Sequence, residues 1–142
     1  MVAHMTPIYT ASAVSTGDAR NGHVQSTDGL IDADVRIPKE MGGAGGATNP
    51  EQLFAAGYAA CFHSALKLVA GKAKVDMTDS EVVADVSIGD NGQGGFGLAV
   101  QLEVTIPGTD TATAQQLAEQ AHQVCPYSNA TRGNIEVKLT VA

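Results

Sequence analysis

The chain has no tryptophan, three phenylalanines and three tyrosines, which leaves little flat surface for stacking nucleobases. It carries 8 Lys and Arg against 15 Asp and Glu, for a formal net charge of -7, and its basic residues form no cluster. That balance repels phosphate backbones and anionic headgroups, so neither nucleic acid nor a membrane surface is an expected partner. No long run is free of polar residues. The most apolar stretch, 53–70, contains His63, Ser64 and Lys67 and is too polar for a membrane span. Met1 to Thr16 show no basic start followed by an apolar stretch, so no secretory signal is expected and the cytoplasm is the expected compartment. The His4-Met5 junction reads as a cloning remnant, leaving one domain over 5–142. Cysteine is scarce as well, at two residues with neither zinc-ligand nor CxxC spacing. The four histidines form no metal-ligand spacing, and neither a metal nor any other bound cofactor is expected.

What is present reads as α+β, with mainly antiparallel sheets around two helices. Ile8 to Val14 and His23 to Ser26 read as strands flanking the turn 16–22. Ile31, Ala33, Val35 and Ile37 alternate with Asp32, Asp34 and Arg36 as a half-buried strand. The glycine-rich loop Gly42 to Ala47 lacks the Lys-Ser/Thr ending of a phosphate-binding loop and reads as mobile. Thr48-Asn49-Pro50-Glu51 is a helix start, by a capping box between Thr48 and Glu51 or by Asn49 capping with Pro50 at the first helical position. The helix runs to about Ala70. It is apolar over most of its circumference, so a central, buried place is expected, with Gly57 and the alanines leaving room for another helix. Val82 to Ile88 and Leu98 to Ile106 alternate as two strands. A second helix covers 111–124 and stops at Pro126, and Ile135, Val137, Leu139 and Val141 form a last strand.

The two cysteines admit three readings: inert core residues, a structural disulfide, or a catalytic pair. In a reducing cytosol the second is the weakest, because disulfides there are usually transient and catalytic. Cys61 lies too deep in its helix for the N-terminal dipole to aid ionisation, and burial alone raises a thiol's pKa. A reactive Cys61 therefore needs a cation from elsewhere. His63 and Lys67 point to other faces of the helix. Arg20, in its glycine-flanked turn, is either a solvated surface residue or that cation. Glu51 is either the capping carboxylate or the group that orients Arg20. Ten helical residues place Glu51 roughly 15 Å along the axis from Cys61, so one helix cannot bring both to one site. Two antiparallel copies can, which implies a homodimer if the network exists. Cys125, at a helix end before Pro126, is placed where a thiol can be presented. His122, three residues earlier, offers a competing Cys-His nucleophile pair.

The segments TNPEQLFAAGYAACFHSAL (48–66) and AHQVCPYSNATRGNI (121–135) closely resemble the organic hydroperoxide resistance subgroup of the Ohr/OsmC family. The turn TGDARNG (16–22) resembles the subgroup's arginine-bearing turn, which usually carries a further glycine or other small residue where Asp18-Ala19 stand. The resemblance implies an OsmC-like fold, an intertwined homodimer and a metal-free thiol peroxidase that reduces alkyl and fatty-acid hydroperoxides to alcohols. By likeness, Cys61 attacks the peroxide and becomes a sulfenic acid, and Cys125 resolves it as a Cys61-Cys125 disulfide. Arg20 and Glu51 match the residues that hold the thiolate. The external reductant it implies is dihydrolipoamide or a lipoylated protein. Phe54, Tyr58, Phe96 and Tyr127 are candidates to line an alkyl pocket. The alternatives are an OsmC-type peroxidase with another peroxide range, a non-enzymatic binder of hydrophobic ligands, and a Cys125-His122 hydrolase.

Overall fold

Polar-apolar alternation and a single long apolar helix dictate most of what is seen in the computed structural model, which describes residues 4–142. Of the four residues set aside as a cloning remnant, Met1 to Ala3 lie outside the described residues. The chain packs as two compact units, one ending at Pro50 and the other spanning Glu51–Ala142.

The first unit is a three-stranded antiparallel sheet in the order β1 (Ala13–Thr16), β2 (His23–Ser26) and β3 (Asp32–Asp34). Its first strand is shorter than the expected Ile8 to Val14. Ile8 and Tyr9 are exposed, and the ladder begins at Ala13, where Ser26 stands opposite. The third strand is likewise cut to three residues. Beyond it, Val35 leaves the antiparallel ladder for an isolated parallel bridge with Thr48. Val35 is the one buried hydrophobic among this unit's described residues. Between β1 and β2 the turn closes through a single turn of 3-10 helix, Ala19–Asn21. Gly22 is required there, since a Cβ at that position would stand 2.2 Å from the Thr16 carbonyl oxygen. The glycine-rich loop follows a second 3-10 turn, Lys39–Met41.

The second unit opens with α1 (Pro50–Lys72), followed by β4 (Glu81–Asp90), β5 (Phe96–Thr105), α2 (Thr111–Val124), α3 (Pro126–Thr131) and β6 (Val137–Val141). Strands β4 and β5 pair antiparallel, whereas β6 runs parallel to β5, so this sheet is mixed. A parallel return needs a crossover, and the two helices α2 and α3 supply it. Asp110 caps α2 by accepting a 3.0 Å bond from the Thr113 N–H. Ala114, Leu117, Ala118 and Ala121 then fall on its buried face at helical spacing.

These residues join Tyr58, Phe62 and Leu66 of α1 and Val100, Leu102 and Val104 of β5 in one core. Each large apolar side chain buried there contributes about 1.5–3 kcal/mol. By length and composition alone α1 is long and apolar enough to cross a membrane. A core helix meets the same test, and this one sets Tyr58, Phe62 and Leu66 fully into the core. The helix is nevertheless not buried all round, as its apolar composition suggests. Ala56, Ala60, Ser64 and Lys67 are exposed along one side, because the core covers only the Tyr58-Phe62-Leu66 face.

Candidate active site

Cys61 sits in the middle of α1, one residue before the buried Phe62, and is itself half-buried. Cys125 is the residue between α2 and α3, with φ -61 and ψ 124. It ends one helix, its N–H bonded to Ala121, and caps the next, its carbonyl accepting from Asn129 N–H. Pro126 reads in the sequence as a stop, yet it opens α3. Proline at the first turn of a helix needs no N–H partner there, so it starts helices as readily as it ends them. The thiol that this junction positions is fully buried.

The two sulfurs are 3.2 Å apart, both as free thiols. Burial pushes the Cys61 thiol above its ordinary value. The backbone N–H of Tyr127, at the start of α3, opposes that rise by bonding to the sulfur, while the neighbouring Cys125 thiol adds to it. Residue order does not announce a backbone donor of this kind, since every residue but proline carries one. His63 turns away to Ser80, 2.9 Å from Nε2 to Oγ.

Of the four aromatic residues proposed for a pocket, Phe54, Phe96 and Tyr127 line a cavity of about 720 Å³ with Leu98, Ile135 and Pro126. Tyr58 does not line it. It lies beneath, fully buried, with its ring 6.0 Å from that of Phe54 and 5.6 Å from that of Tyr127. Its hydroxyl is held by Ser128 Oγ at 2.7 Å and Thr131 Oγ1 at 3.1 Å. Gly57 makes room for this cluster, since a Cβ there would stand 2.8 Å from the hydroxyl of Tyr127 on α3.

Glu51 is in the first turn of α1, on the same helix as Cys61 and roughly 15 Å along it. Arg20 lies in the 3-10 turn of the first unit, after Ala19, which takes a left-handed φ of 51. That is the conformation glycine adopts most easily. Arg36 braces the turn: its Nη1 donates to the carbonyls of Asn21 at 3.1 Å, Gly22 at 3.0 Å and Val35 at 2.6 Å. The Ile37 N–H also reaches Asn21 Oδ1 at 3.1 Å. Strand register creates one more clamp, which residue order does not announce. His23 bridges two carboxylates across β3, Nδ1 to Asp34 at 2.8 Å and Nε2 to Asp32 at 2.5 Å. Cys125 and His122 form no nucleophile-base contact. The thiol faces Cys61, and His122 Nδ1 is buried without a partner. No group of three or more His, Cys, Asp or Glu suited to a metal occurs among the described residues.

Residues 43–140 match the family model of the OsmC-like proteins. The chain is 56% identical over 138 residues to the organic hydroperoxide resistance protein of Xanthomonas axonopodis pv. citri, covering 95% of each. It is 46% identical over 133 residues to the organic hydroperoxide resistance protein OhrB of Bacillus subtilis, covering 93% of this chain and 96% of that one. The crystal structure of an organic hydroperoxide resistance protein from Elizabethkingia anophelis superposes with a TM-score of 0.91 at 57% identity, over 97% of this chain and 99% of that one. The paired thiols thus lie in a fold and a sequence shared along nearly the whole chain, which belongs to the OsmC-like family and, within it, to the organic hydroperoxide resistance subgroup.

Proposed function

We propose that the protein is a cytoplasmic thiol peroxidase that reduces organic hydroperoxides to alcohols. The observation that carries this reading is the 3.2 Å approach of Cys61 and Cys125. The aromatic cavity supports it, because Tyr127 both lines that cavity and offers its N–H to Cys61. The Cys61 thiolate attacks the distal oxygen of the hydroperoxide, the O–O bond breaks, and the departing alkoxide takes a proton to become the alcohol. Cys61 is left as a sulfenic acid. The Cys125 sulfur then displaces its hydroxyl, forming the disulfide and releasing water. Two thiols of a dihydrolipoyl group return the pair to the reduced state and leave as the lipoyl disulfide.

A thiol pushed up by burial needs a further cation at neutral pH. Arg20 takes that role in this reading, with Glu51 orienting it. Since Glu51 and Cys61 are far apart on one helix, the carboxylate comes from a second subunit of a homodimer. Phe54, Phe96 and Tyr127 receive the alkyl chain.

The deciding experiment is steady-state removal of cumene hydroperoxide with dihydrolipoamide as reductant, with Cys61→Ser as control. Turnover lost in the variant is expected. Turnover with dithiothreitol alone removes the lipoyl partner but keeps the peroxidase. Inertness with both reductants puts a non-catalytic binder of hydrophobic ligands in its place.

A further inference from the structure

Helix α3 is only six residues long, yet it supplies two of the things that surround the Cys61 sulfur. Cys125 is its cap, and Tyr127 N–H is in its first turn. So short a helix does not hold itself in place. Two fastenings do so here. On the outside, Arg132 donates to the His122 carbonyl at 2.9 Å and to Asn129 Oδ1 at 2.7 Å, tying α3 to the end of α2. On the inside, the Tyr58 hydroxyl meets both Ser128 Oγ and Thr131 Oγ1, and Thr131 Oγ1 also donates to the Ser128 carbonyl at 3.2 Å. All three hydroxyl residues are buried, Tyr58 and Ser128 completely. Tyr58 stands three residues before Cys61 on α1, so this knot joins the helix bearing one thiol to the helix capped by the other.

We propose that Tyr58 is a positioning residue: through Ser128 and Thr131 it holds α3 so that Cys125 and the Tyr127 N–H stay on the Cys61 sulfur. The inference rests on the peroxidase reading only for its consequence, namely that resolution outruns overoxidation. The arrangement of the thiols is a property of the fold. Buried polar groups are costly to leave unpaired, and a satisfied network fixes one arrangement of the elements it joins. Without the phenolic hydroxyl, α3 gains freedom while the ring still fills its place. The Cys125 thiol then spends less time within reach of Cys61, and a Cys61 sulfenic acid meets a second peroxide more often before water is expelled and the disulfide forms.

The test uses Tyr58→Phe and Ser128→Ala in the full chain. Each is equilibrated with mixtures of oxidised and reduced dithiothreitol, and the ratio of disulfide to dithiol is measured. The exchange needs no peroxide, since the reagent's disulfide is reduced as the protein's forms. In Tyr58→Phe the equilibrium constant for the Cys61-Cys125 disulfide is expected to fall about tenfold, and in Ser128→Ala severalfold, because Thr131 still holds the tyrosine. Sulfinic acid at Cys61 after a fixed excess of cumene hydroperoxide should rise in the same order. If Tyr58→Phe fails to fold, Ser128→Ala decides. A constant within twofold of the parent in the folded variants overturns the inference, whatever happens to Tm. A parent protein that forms the disulfide with oxidised dithiothreitol, yet ignores cumene hydroperoxide, removes the peroxidase reading and leaves this one standing.

Discussion

The two units are held together by different forces. In the unit ending at Pro50, strands of three or four residues carry mostly exposed side chains, and Val35 is the one buried hydrophobic among those described. Its order comes from polar clamps: Arg36 on three carbonyls, Asn21 on Ile37, and His23 between two aspartates. In Glu51–Ala142, two ten-residue strands and two long helices enclose an apolar core, and the buried Tyr58, Ser128 and Thr131 hydroxyls within it satisfy one another. Their histidines carry the same contrast. His23 is raised from its ordinary value by hydrogen bonds to Asp34 and Asp32, whereas His122 is lowered by burial and by the nearby Arg132 charge. A core resists substitution through volume, and a clamp resists it through geometry and charge. The arginine turn sits in the clamped unit, and the cysteines sit in the one with the apolar core.

The comparison breaks most visibly at Leu66. Leu66→Ala empties a fully buried position and should cost about 2–5 kcal/mol in urea unfolding. Amides of β4 to β6 should lose protection in the same experiment. In the first unit the corresponding change is Arg36→Met, which keeps the aliphatic stem and removes every bond to the turn carbonyls. A loss of about 1–3 kcal/mol is expected, read as faster exchange of the Val35 amide, which bonds to the Gly22 carbonyl. Equal loss of protection at Leu102 would show that the clamp is not local.

Arg20→Ala sharpens the proposal that links the turn to the thiol. Burial already holds Cys61 above its usual value, so its alkylation rate by iodoacetamide rises with pH through that raised value. Removing a cation that stabilises the thiolate should move the profile further up, by about one pH unit or more. A superimposable profile would return Arg20 to the role of a surface residue.

The smallest effect concerns His23→Gln. The folded state holds the proton more tightly than the unfolded chain, so the clamp's contribution is complete below the ordinary value of 6.5 and disappears as pH rises through the raised one. Asp34 is lowered chiefly by the same bond, so acid removes the contribution from the other side. The gap between wild type and variant in exchange at Val24 and Gln25 should therefore shrink at alkaline pH and at high salt. His122 should act in the opposite sense, with stability lost as pH falls through 6.5, where the unfolded chain takes up the proton first.

Much of the second unit was legible in residue order. The alternation of Val82, Ala84, Val86 and Ile88 is the inward face of β4, and the boundaries of α2 follow from Asp110 and the spacing of its apolar residues. The first unit was less legible. Ile8 and Tyr9 have strand-forming side chains but are exposed and lie before the ladder. Strand pairing depends on a partner at the right register, and local composition does not report it. Helix α3 went unread because Pro126 carries two opposite signals, and the parallel pairing of β6 because direction depends on the length of the crossover.

The sequence by itself determined the α+β class, the long cysteine helix, the excess of acidic over basic residues and, through two long motifs, the family. These rest on periodicity and on residue identity, which are local. Only the tertiary structure decided that Cys125 is sealed beside Cys61, that the Tyr58 hydroxyl meets Ser128 beneath the cavity, and that Tyr127 offers its backbone to the sulfur. Each of those depends on where α3 folds back against α1, a contact between residues about seventy positions apart. Its energy comes from packing and hydrogen bonds formed only when both helices are already in place.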